Sequence, residues 1–144
     1  MKRFYDSTFI EAYMKQTRVE SAISSLREHL FVTQYKKGEF IAAPLQEEHL
    51  FQIIIQGTVN IYFIRDDGSV YSLANGREND LLGEMEIFQR YPSNVYAEAN
   101  DDVICIALSI ETKRCYWKIA NFCRWYVNLW LGKWNPLQRL TLLL

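Results

Sequence analysis

Between Phe31 and Ser109 the sequence falls into short apolar runs, rich in β-branched residues and each stopped by a glycine, proline or acidic turn. This rhythm restricts the fold more than any other feature. Phe31–Tyr35 reads as a strand, Lys36-Lys37-Gly38-Glu39 as a turn, and Phe40–Ala42 as a second short strand ended by Pro44. Leu50–Gln56 stops at Gly57, and residues 58–64 follow at once, with Val59, Ile61 and Phe63 on one face because strand side chains alternate. Asp66-Asp67-Gly68-Ser69 is a hairpin turn, after which residues 70–73 return. Two further strands, Val95–Ala99 and residues 103–108, flank Asn100-Asp101-Asp102. Short strands with turns every 8–12 residues or so predict an all-β barrel or sandwich.

Helical periods bracket this region. Residues 6–30 read as helical: Thr17-Arg18-Val19-Glu20 fits a capping box, and Val19, Ile23, Leu26 and Leu30 recur at helical spacing. From Ser109, a candidate N-cap followed by Glu111, the period turns helical again. Tyr116, Ile119, Cys123, Tyr126 and Trp130 form a heptad-like seam, and Trp117, Phe122, Trp125 and Leu129 add apolar surface on other sides. Such a helix needs cover from more than solvent, which a second copy of the chain would supply beside the barrel. Gly132 and Pro136 end it, and Asn135 caps a last apolar helix. That helix stops among leucines, so the chain is expected to be the front of a longer protein.

The stretch Asp80-Leu81-Leu82-Gly83-Glu84-Met85 carries the chemistry. A glycine and an acid before a short apolar turn can aim backbone N–H groups and one carboxylate at a small ligand.

At 144 residues the chain makes one domain with a real core, and 49% hydrophobic residues exclude disorder. A net charge of −1 gives no basic excess to suggest that this chain binds nucleic acid by itself. The start, Met1-Lys2-Arg3-Phe4-Tyr5-Asp6, has no apolar leader, and no apolar run reaches the roughly 18 residues of a membrane span. A cytoplasmic protein without membrane contact is expected. The three cysteines follow no metal spacing; Cys105 reads as a buried small hydrophobe, and Cys115 and Cys123 fall on the long helix. The two histidines, His29 and His49, are not paired at ligand spacing, and no nucleophile–base pair stands out. No metal site and no enzyme are expected.

Lys37-Gly38-Glu39-Phe40-Ile41, residues 50–59, Asp67-Gly68, Leu82-Gly83-Glu84-Met85, residues 95–99 and 105–109, in this order, resemble the cyclic-nucleotide-binding domain. More closely, they resemble the sensor half of Crp/Fnr-type bacterial transcription regulators. The resemblance implies a mainly β protein with flanking helices. Residues 1–30 would form N-terminal helices, and 31–109 a jelly-roll β-barrel (a double-stranded β-helix) that senses an effector. Residues 110–134 would be a long dimerisation helix, and 135–144 the start of a C-terminal DNA-binding domain. A homodimer is implied, with DNA bound only through that further domain.

The resemblance also implies site residues. Glu84 would accept the ribose hydroxyl, and the backbone N–H groups of Gly83, Glu84 and Met85 would face the cyclic phosphate. The family's arginine, followed by serine or threonine, neutralises that phosphate; here Ser93 and Asn94 stand at those positions. Losing a bidentate arginine–phosphate contact of about 3 kcal/mol weakens binding by roughly two powers of ten. Arg90 lies three residues before Ser93, with Pro92 between them, and is the nearby candidate to replace it. The expected role is therefore an effector sensor with a degenerate nucleotide pocket and no cofactor. Its alternatives are a genuine cyclic AMP or cyclic GMP sensor, a domain that only dimerises, and a cupin-like enzyme that the histidine count opposes.

Overall fold

In the computed structural model, residues 1–17, 20–46, 48, 50–83 and 95–109 are described here. The chain opens with a strand, β1 (Lys2–Phe4), followed by helices α1 (Ser7–Gln16) and α2 (Glu20–Ile23) and a 3₁₀ helix at Ser24–His29. The strands β2 (Phe31–Tyr35), β3 (Phe40–Ala42), β4 (Leu50–Gln56) and β5 (Val59–Ile64) come next. They are followed by β6 (Val70–Gly76), β7 (Leu81–Leu82), β8 (Val95–Ala99) and β9 (Val103–Ser109).

Every strand pairing is antiparallel, in two sheets of order β1-β2-β9-β4-β7 and β3-β8-β5-β6. The first sheet lies between two apolar layers. On its outer side Val32, Phe51, Ile53, Ile55, Ile106 and Leu108 pack on Ile10, Met14, Ile23, Leu26 and Leu30. On its inner side Tyr35, Ile54, Val103 and Cys105 meet Ile41, Val59, Ala97 and Ala99 of the second sheet. A strand covered on both faces reads as a continuous apolar run, which is why five successive residues of β4 are buried.

The helix expected over 6–30 is three shorter pieces. Asp6 caps α1 by accepting from the Thr8 N–H at 2.7 Å, and Thr17 closes it, its hydroxyl donating to the Met14 carbonyl at 2.8 Å. Arg18 and Val19 of the expected capping box lie outside the described residues. The three apolar positions that are described, Ile23, Leu26 and Leu30, all reach the core.

On β5, Val59 and Ile61 face the core as the alternation predicts. Tyr62 points the other way and is nonetheless buried, because its ring stacks on Tyr96 at 5.4 Å and its hydroxyl donates to Glu98 at 2.9 Å. The hairpin at Gly68 forms as expected, the Gly68 N–H bonding the Arg65 carbonyl and Asp67 accepting from Ser69. The strand that follows runs to Gly76, three residues past the expected end at Leu73. Residues 110–134 and 135–144, where the long helix and the start of a further domain were expected, lie outside the described residues. Among those described, no helix is long and apolar enough to cross a membrane.

Candidate functional site

β7 is only two residues long, but its pairing places the motif that follows it. Leu81 and Leu82 sit opposite Ile53 and Gln52 of β4. The turn before it is held by the Asp80 carboxylate, which accepts from the Arg77 N–H at 2.8 Å, and by Asn79 at φ 71°. Gly83 then leaves the strand at φ 87°, so close to Leu50 that a β-carbon would collide with the Leu50 carbonyl. Only glycine fits that approach without moving backbone.

Gly83 lines a cavity of about 270 Å³. Its walls come from Tyr35 of β2, Ile41 of β3, Leu50 of β4 and, from the first strand, Arg3; Glu48 closes it from the β3–β4 connection. β1 pairs with β2 so that Arg3 lies opposite Thr33, whose side chain points into the barrel. The guanidinium consequently turns to the inner side. It lies 5.2 Å from the centre of the Phe31 ring and grips the Glu48 carboxylate with both terminal nitrogens, one of them 3.0 Å from Oε1. The Glu48 carboxyl is held below the usual range by that hydrogen bond, and the Arg3 guanidinium is raised further by the same bond.

Beneath the cavity the barrel interior holds a satisfied polar cluster. Gln52 Oε1 accepts from the Thr33 hydroxyl at 2.8 Å and from the Tyr35 hydroxyl at 2.9 Å. Burial pushes the Tyr35 phenol up, and pushes the neighbouring Cys105 thiol up to about 12. A thiol so raised stays protonated and is no nucleophile at neutral pH. Among the described residues, no group of three or more histidine, cysteine, aspartate or glutamate side chains is placed to hold a metal ion.

Of the binding residues expected from the sequence, Gly83 is at the cavity. Glu84, Met85, Arg90, Ser93 and Asn94 lie outside the described residues, as do Tyr116, Ile119, Cys123, Tyr126 and Trp130 of the expected dimer seam. Sequence reading missed Arg3 and Glu48. A three-residue edge strand carries no periodicity, and the pair is separated by 45 positions, so neither residue announces the other.

A family model described as the cyclic nucleotide-binding domain matches residues 32–114. No curated protein matches the chain by sequence. Among solved structures, the regulatory subunit of a cAMP-independent protein kinase A from Trypanosoma brucei superposes with a TM-score of 0.66 at 18% identity, covering 83% of this chain and 47% of that one. The sensor domain of the transcriptional regulator DNR from Pseudomonas aeruginosa gives 0.64 at 16% identity, covering 86% and 87%. The Thermus thermophilus catabolite activator protein gives 0.65 at 16%, covering 90% and 60%. The chain thus spans about half the length of the kinase subunit. These identities establish a shared fold.

Proposed function

The chain belongs to the cyclic nucleotide-binding domain family, and from that premise we propose that it is the effector-sensing and dimerisation part of a Crp/Fnr-type transcription regulator. The observation that carries this reading is the near end-to-end correspondence with the DNR sensor domain, 86% of one chain against 87% of the other. The order of elements supports it as well: a helical entry, a two-sheet barrel, and then the apolar seam from Tyr116 to Trp130.

In this reading the cavity beside Gly83 is the effector pocket, and the glycine-acid pair Gly83-Glu84 opens its binding segment. Ser93 and Asn94 replace the arginine and its polar neighbour, so the pocket is degenerate toward cyclic nucleotides. DNA is contacted through a separate C-terminal domain, and the seam holds two copies together.

Light scattering together with a thermal titration tests the proposal. The full chain should scatter as a dimer. Cyclic AMP and cyclic GMP should leave its melting temperature unchanged at the micromolar concentrations that would saturate an arginine-bearing pocket. Ligand at about 100 Kd would add about 2.7 kcal/mol of stability, and a shift of that size at micromolar nucleotide would mark a genuine cyclic-nucleotide sensor instead. A monomer would overturn the dimeric reading.

A further inference from the structure

We propose that Arg3 is the anion receptor of this barrel and that the ligand is a small phosphate-bearing molecule whose phosphate takes the place of the Glu48 carboxylate. The inference rests on the sensor reading and names its ligand class.

The cavity wall contains one arginine among the described residues, and it comes from the first strand. Arg3 lines the cavity, its guanidinium braced by the Phe31 ring at 5.2 Å and its strand position set by the β1–β2 register, Arg3 opposite Thr33. Both terminal nitrogens point at one carboxylate, the fork geometry that also fits two oxygens of a phosphate. The pair is reachable from water, with 27% of the Arg3 side chain and 43% of the Glu48 side chain exposed. An entering anion meets no closed core there.

Glu48 sits in the connection between β3 and β4 rather than in a strand. A tethered carboxylate of this kind is a competitor held at high effective concentration. A free carboxylate would exchange like for like and lose translational freedom, so it gains nothing. A phosphate monoester offers three acceptor oxygens and a charge of about −1.5 to −2 at neutral pH, which shifts the exchange toward the ligand. The cavity, about 270 Å³, lies at the small end of ligand pockets, so the ligand is small. Gly83, which also lines this space, brings backbone without a side chain to the wall.

Calorimetric titration of the full chain with AMP, cyclic AMP and adenosine tests this. The three probes share a nucleoside and differ in charge. AMP should bind most tightly, cyclic AMP less, and adenosine least. Arg3→Gln should weaken AMP at least about tenfold while leaving adenosine unchanged. Glu48→Gln should do the reverse and tighten AMP about fivefold, because the resident competitor is gone. The Glu48 variant keeps the test decisive if Arg3→Gln folds poorly. AMP affinity untouched by Glu48→Gln marks the pair as a structural brace only and overturns the proposal, as does the absence of AMP binding in both wild type and Glu48→Gln. The dimeric regulator reading on which this rests fails by a different result: a full chain that is monomeric.

Discussion

Gly83 stands against the backbone of Leu50, its missing side chain leaving room for the Leu50 carbonyl oxygen at the wall of the cavity. This contact joins the end of β7 to the start of β4. The glycine is thus a spacing element of the fold. Its replacement should be felt in the fold as much as in any binding.

Two glycine substitutions separate these costs. Gly83 and Gly68 have similar positive φ angles, 87° and 85°, but a β-carbon at Gly68 meets nothing within 4 Å. Gly68→Ala should therefore cost about 1 kcal/mol, the conformational penalty alone. Gly83→Ala adds a backbone collision and should cost about 3 kcal/mol or more. Chemical denaturation of the two variants against wild type measures the difference, and equal losses would contradict the close approach.

Gln52 holds the barrel interior together through a single oxygen. Gln52→Leu leaves the Thr33 and Tyr35 hydroxyls without that acceptor in a buried setting, which should cost about 2–4 kcal/mol. Adding Thr33→Val and Tyr35→Phe removes the orphaned groups and should recover a large part of the loss. Denaturation midpoints for the single and triple variants provide the check; a triple variant no better than Gln52→Leu would count against the network.

The Arg3–Glu48 bridge has a signature in acid. Hydrogen bonding to Arg3, more than its charge alone, holds the Glu48 carboxyl below its ordinary value of 4.5. A carboxylate lowered in the folded state contributes stability that is whole above the unfolded-state value and fades as pH falls through the folded one. Wild type should consequently exceed Glu48→Gln in melting temperature at pH 7, and the gap should close below about pH 4. A gap that does not change with pH would mean that the bridge is not formed in solution.

The proposed seam is tested by one charge. Ile119→Glu places a carboxylate in the row Tyr116, Ile119, Cys123, Tyr126 and Trp130, where association would bury it. Light scattering should show monomers while the circular dichroism of the barrel is kept. A variant that remains a dimer would place the contact elsewhere.

The barrel was legible because strand boundaries coincide with turn chemistry: Tyr35 before Lys36-Lys37-Gly38, Gln56 before Gly57, and Ile64 before Asp66-Asp67-Gly68 are local signals. Gly83 was legible for the same reason, as a glycine at the end of an apolar pair. β1 and β7 were not, since strands of three and two residues are created by their partners and have no pattern of their own. Burial of Gln52 was equally hidden. Its position in an apolar strand does not say that Thr33 and Tyr35, 19 and 17 residues away, will offer it two hydroxyls. The cavity needs both kinds of information, because its glycine is local and its arginine arrives through the fold.

The most direct test of the site is an amide chemical-shift map of the ¹⁵N-labelled full chain titrated with AMP. The account predicts that the perturbed amides cluster at Arg3, Glu48, Leu50 and Gly83, around the cavity. Perturbations confined to the outer groove lined by Phe4, Phe9 and Tyr13, or none at all, would contradict it.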